Sequence, residues 1–87
     1  MIIRYMIKMR NGDYMVQNLK EGLDEVWIST VDHPIDAMLL KNKKIARRAL
    51  REILSGETNL PVEYDDDNPP VEVVELEIVT KATKITQ

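Results

Sequence analysis

Residues 2–17, IIRYMIKMRNGDYMVQ, decide how this chain folds. Ile3, Tyr5, Ile7 and Met9 recur at every second position, and Arg4, Lys8 and Arg10 fill the alternate set with Ile2 and Met6. Successive side chains of a strand point to opposite faces, so a period of two predicts a strand with one side on a core. Asn11-Gly12 follows at once. This pair tolerates positive φ at both central positions of a type I′ turn, and it predicts a hairpin with a two-residue loop. That turn would place Arg10 against Asp13, Met9 against Tyr14 and Ile7 against Val16, so opposite charges meet and apolar side chains meet.

Outward from the hairpin, Asn18 to Asp24 is polar, contains Gly22 and reads as a loop. Glu25 to Val31 is rich in β-branched residues, holds the only tryptophan, Trp27, and reads as a third strand. Asp32-His33-Pro34 ends it. Asp36 to Lys41 admits two readings: one helical turn followed by an extended piece through Leu39 and Leu40, or the start of a longer helix. The angular pattern favours a helix that begins after Asn42. At about 100° per residue, Ile45, Ala46, Ala49, Leu50, Ile53 and Leu54 fall on one half of a helical wheel, with Lys44, Arg47, Arg48 and Arg51 on the other. Asn42 would intrude on the apolar half if it were helical, whereas as an N-cap its side chain accepts a first-turn N–H. Ser55-Gly56 supplies the stop.

Residues 57–70 form a long connection holding Pro61, Asp65-Asp66-Asp67 and Pro69-Pro70. Val71 to Thr80 reads as the last strand, with Val74, Leu76 and Ile78 on one face and Glu75 and Glu77 on the other. The order is β-β-β-α-β, an α+β domain over residues 1–80: a small antiparallel sheet with one helix packed on one face. The helix is expected to cover the Ile3/Ile7/Val16/Leu76 face, the last strand to pair beside the first, and residues 81–87 to form a polar tail.

At 87 residues, with 44% hydrophobic and 31% charged side chains, the chain has the composition of one globular domain. It has no cysteine, which excludes disulfides, thiol catalysis and a zinc-thiolate site. No run approaches the ~20 apolar residues of a membrane span, and residues 1–10 lack the apolar core of a secretion signal, so the expected location is the cytoplasm, away from membranes.

Charge is unevenly placed. Lys41, Lys43, Lys44, Arg47, Arg48 and Arg51 are half of the twelve basic residues, whereas eight of the fifteen carboxylates lie between Glu57 and Glu77. Lysines in a first helical turn oppose the helix dipole, so Lys43 and Lys44 are there at a cost to stability. Lys43, Lys44, Arg47, Arg48 and Arg51 are therefore candidates to meet an anionic partner, and Asp65, Asp66 and Asp67 are candidates for an acidic contact. A net charge of −3 argues against a general nucleic-acid coat but leaves room for a local basic patch. The Asp triplet lacks the alternating ligand spacing and the glycine turn of a calcium loop, so no metal site is expected.

His33 is the single histidine, set between Asp32 and Asp36 before Pro34, with no nucleophile motif and no glycine-rich phosphate loop elsewhere. No catalytic residue and no cofactor are expected, and the chain reads as a non-enzyme. Tyr5 and Tyr14 are expected on the core face. A second sheet face carrying Met6, Met15 and Trp27 would be an apolar patch if open.

The pieces IIRYMIKMRNGDYMVQ, EVWIST, DAMLLKNKKIARRAL and VEVVELEIV together resemble a class of short proteins from phages and prophages of Gram-positive bacteria, including a family in staphylococcal phages. The resemblance implies an accessory protein of a mobile element, acting in the bacterial cytoplasm, and carries over no catalytic residue. The expected function is protein interaction or regulation with a host or phage protein. The alternative is a nucleic-acid-binding accessory protein that uses the basic helix face. A homodimer through an open sheet edge is a further arrangement that this topology permits.

Overall fold

The hairpin forms, but not with the expected turn. In the computed structural model, which describes residues 1–19, 26–58 and 61–79, β1 (Ile2–Met9) and β2 (Tyr14–Leu19) are antiparallel neighbours. The Gly12 N–H donates to the Met9 carbonyl at 3.0 Å, and the Met9 N–H donates to the Asp13 carbonyl at 2.7 Å. Gly12 has φ +95°, and no described residue other than glycine has a positive φ, so Asn11 does not adopt the type I′ geometry. The loop is Arg10-Asn11-Gly12, a three-residue connection whose glycine takes the left-handed position. Asn11 serves differently: its Oδ1 accepts the Asp13 N–H at 2.9 Å, and its Nδ2 donates to Asp13 Oδ2 at 3.1 Å.

One extra loop residue moves the register by one. Lys8 faces Tyr14, so the expected pairs Met9 with Tyr14 and Ile7 with Val16 do not form. Slipping a strand by one residue sends each of its side chains to the other face. Met15 therefore joins Ile7 and Met9 in the core, all three almost fully buried, together with Ile28 and Ile53. Tyr14 and Val16 turn to the opposite face, a correction to the expected core set.

β3 (Val26–Val31) pairs antiparallel with β2 from Tyr14↔Val31 to Leu19↔Val26. A 3₁₀ turn, Pro34–Asp36, follows, and then the chain extends, in line with the first of the two readings of residues 36–41. Its role could not be foreseen. The Met38 N–H donates to the Met15 carbonyl at 3.0 Å, and Leu40 exchanges two 2.8 Å bonds with Tyr5. The extended piece thus bonds β2 at Met15 and β1 at Tyr5, and takes up backbone groups that the short β1–β2 ladder leaves over.

The helix α1 runs Lys43–Ser55 as expected. Asn42 caps it, its Oδ1 accepting from the Lys44 N–H at 2.8 Å and the Ile45 N–H at 3.3 Å. Gly56 ends it at φ +76°, its N–H bonded to the Glu52 carbonyl. The centre of the apolar half, Ala46 and Ile53, is buried, and Ala49 and Leu50 pack beside it. Ile45 and Leu54, at the two margins of that half, are 47% and 51% exposed. A sheet covers less than 180° of a helix, so the margins stay in water.

Two further strands complete the sheet. β4 (Val62–Glu63), inside the long connection, pairs parallel with β3 and was not foreseen. β5 (Pro70–Ile78) pairs antiparallel with β1 from Ile2↔Ile78 to Lys8↔Glu72, as expected, with a register shift before Met9↔Pro70. The order is β4-β3-β2-β1-β5, a mixed sheet in an α+β domain. In this register Ile3 and Ile7 share the helix face with Val73, Glu75 and Glu77, while Val74, Leu76 and Ile78 lie with Met6 on the far face. The expected helix-covered set of Ile3, Ile7, Val16 and Leu76 is therefore split between two faces. Met6 is only 3% exposed and Met15 is in the core, so neither belongs to an open apolar patch; Trp27 is 38% exposed. The expected loop at 18–24 begins later than its composition suggested, since Asn18 and Leu19 belong to β2; its residues 20–24 and the tail, residues 81–87, lie outside the described residues.

Candidate functional site

The basic face of α1 is built by the same geometry that buries its other side. With Ile53 and Ala46 turned to the sheet, Lys43, Lys44, Arg47, Arg48 and Arg51 are left exposed on the outer surface. Their surroundings divide them. Arg48 leans toward the β2–β3 side, where it shares a hollow with Gln17, Val26 and Glu52. It is also the one basic residue of the helix with an ion-pair partner among the described residues, Glu52 Oε1 at 3.9 Å. Arg47 and Arg51 lean toward β5 and line a shallow groove with Leu50, Leu54, Ser55 and Val73. Lys43 and Lys44 occupy the first turn, which holds no acidic residue.

The helix therefore carries cations where its dipole already concentrates positive potential. The protein's own acidic loop lies elsewhere. Asp66 borders a hollow with Leu54, Ser55 and Gly56, at the carboxyl end of the helix. Asp65 organises that loop: its Oδ1 accepts the Asp67 N–H at 3.0 Å and its carbonyl accepts the Asn68 N–H at 2.9 Å. Such an Asx turn is a common way to stabilise a reversal, which gives Asp65 a structural task, while Asp66 and Asp67 are exposed. Asn68 then accepts the Asn11 N–H at 2.9 Å, tying this loop to the β1–β2 hairpin. The fold brings the five basic residues together on one surface and sets the three aspartates apart from the lysines.

Among the described residues no group of three or more His, Cys, Asp or Glu side chains is placed to hold a metal. His33 Nε2 lies 3.9 Å from Asp32 Oδ1, with both side chains largely in solvent, so the water exclusion that sharpens acid–base chemistry is lacking there. No described helix is long and apolar enough to cross a membrane.

Sequence reasoning missed one element of this surface. β5 is an outer strand of the sheet, nine residues long, and its helix face runs Val73, Glu75, Glu77 directly beyond the Arg47/Arg51 groove. The alternation of valine and glutamate is visible in the chain, but nothing in it says which set faces the arginines. No family model, curated protein or solved structure matches the chain.

Proposed function

We propose that this is a small non-enzymatic interaction protein that docks an acidic protein surface on the basic face of α1. The observation that carries this reading is the concentration of Lys43, Lys44, Arg47, Arg48 and Arg51 on one exposed helix face, only Arg48 having a carboxylate partner among the described residues. Stability alone would place acids in the first turn. Exposed Ile45 at the margin adds apolar area beside the charges, as a protein contact uses and a phosphate backbone does not. The likeness to phage and prophage accessory proteins supports a role in a bacterial cytoplasm, with a host or phage protein as the partner.

The same basic face supports a second reading, a nucleic-acid-binding accessory protein, and the two separate by salt. A phosphate contact made by these side chains loses affinity steeply and log-linearly as salt rises. A pull-down from bacterial lysate with the folded protein should recover the same partner reproducibly, and Lys43→Glu/Lys44→Glu/Arg48→Glu should lose it. Folded bait that recovers nothing overturns the protein-docking reading. Retardation of DNA or RNA in a low-salt gel shift, abolished by the same triple variant, puts the nucleic-acid reading in its place.

A further inference from the structure

The outer edge of β5 is directed, and its direction can be worked out. Tyr5 exchanges its backbone bonds with Leu40, and the Met9 N–H bonds Asp13, so the odd residues of β1 turn their N–H and C=O groups toward β2. The even residues turn toward β5. Because Met6 faces Val74 and Tyr5 faces Glu75, the even residues of β5 bond β1, while Val73, Glu75 and Glu77 send their N–H and C=O groups outward. Among the described residues, no strand takes them.

We infer that this chain forms a two-fold dimer in which β5 pairs antiparallel with β5 of a second copy, centred on Val74, and the second copy's Glu75 meets Arg47 and Arg51. Four observations converge on that register. A two-fold axis at Val74 sets Pro70 against Ile78, so all nine residues of the strand are matched. Val73 then opposes the second copy's Glu75, and both residues belong to the outward-bonding set. No glutamate opposes a glutamate: Glu72 meets Leu76, Glu75 meets Val73 and Glu77 meets Val71. Finally, Val73 lies in the groove lined by Arg47 and Arg51, so the residue opposite it on an added strand comes within reach of both guanidinium groups. The symmetry makes that contact twice.

Neighbouring registers fail one of these conditions. An axis at Glu75 puts two like carboxylates directly opposite each other, which destabilises a cross-strand pair. An axis at Val73 matches only residues 70–76 and moves Glu75 away from Val73. Glutamates on an outer strand commonly block edge pairing. Here they are staggered, and Glu75 gains arginine partners. A second copy is the occupant this groove fits because its β5 presents glutamate and valine in the order that the arginines and the outward backbone groups require. The inference uses the β5 edge and the adjacent flank of the helix, and leaves Lys43, Lys44 and Arg48 free for the partner proposed above.

Light scattering on the full chain tests it, with circular dichroism to monitor the fold. The expected mass is twice the 10.1 kDa of one chain at about 100 µM, a concentration at which a micromolar dimer is nearly complete. Read across a dilution series, Glu75→Arg should weaken the dimer at least tenfold, and Glu75→Arg combined with Arg47→Glu and Arg51→Glu should restore it. Glu75→Pro removes an outward N–H without touching a bond to β1 and should weaken the dimer likewise; if it unfolds, the charge-swap pair decides. A monomeric wild type at about 100 µM overturns the inference, as does a dimer that Glu75→Arg leaves intact. Neither result bears on the lysate pull-down, whose failure in turn leaves the dimer standing.

Discussion

Tyr14 stands opposite Lys8, not Met9, and this one-residue offset selects the core. It follows from Gly12 at φ +95°, which adds a third residue to the loop. Because the offset reverses β2, it makes a sharp prediction. Met15→Ala, at a site with no exposure, should cost ~2–5 kcal/mol. Val16→Ala, on the far face and half-buried, should cost well under half as much. Urea unfolding of the two variants measures the difference, and a larger loss at Val16 would contradict the register.

The start of the helix holds opposing contributions. Asn42→Ala removes the acceptor of two first-turn N–H groups and should lower stability by ~1 kcal/mol, or roughly 4–8 °C in Tm for a domain of this size. Lys43→Glu should do the reverse, raising stability by ~0.3–1 kcal/mol at low ionic strength because a negative charge suits the amino end of a helix. The same substitution should weaken partner binding. A variant that is more stable and less competent would mark Lys43 as retained for contact and not for folding.

Gly12 and Gly56 both sit in the left-handed region, and a methyl group added at either would meet only open space, so their cost on substitution is conformational alone. Gly12→Ala and Gly56→Ala should each destabilise by ~1–2 kcal/mol, as measured by thermal unfolding. Gly56→Asn should recover part of the loss, since asparagine tolerates that conformation better.

Asn68 ties the acidic loop to the hairpin through the Asn11 N–H. Asn68→Ala should cost ~0.5–1.5 kcal/mol and speed hydrogen exchange at the Asn11 amide, while amides in the middle of β3 keep their protection. Asp66→Asn, at an exposed loop position without a capping bond of its own, should stay within about ±0.5 kcal/mol of the wild type.

Much of the architecture was legible in local signals. Asn42 announced the helix start, because an amide in the middle of an apolar half is unfavourable unless it caps. Gly56 announced the end. The alternation in residues 2–10 and 71–78 marked β1 and β5. Lys44, Arg47, Arg48 and Arg51 could be placed on one helix face by angle alone. What could not be read was anything that depended on partners distant in the chain. β4 is two residues long and exists only because β3 lies beside it. Leu40 could be read as extended chain, but not as the bonded neighbour of Tyr5 that the fold makes it.

Local signals were enough for the helix with both its limits, for the strand character of β1, β2, β3 and β5, and for the basic stripe, because capping, periodicity and helical angle are properties of neighbours in the chain. Long-range contacts set the register of β2, the side chains in the core, and the place of Val73 on β5 beside Arg47 and Arg51. Asn-Gly suits a two-residue and a three-residue loop alike, and the three-residue loop is the one whose register buries Met15 in place of Val16. The groove beside Val73 has the same origin: the alternation of β5 was visible, but which of its faces meets the helix was settled only by pairing with β1.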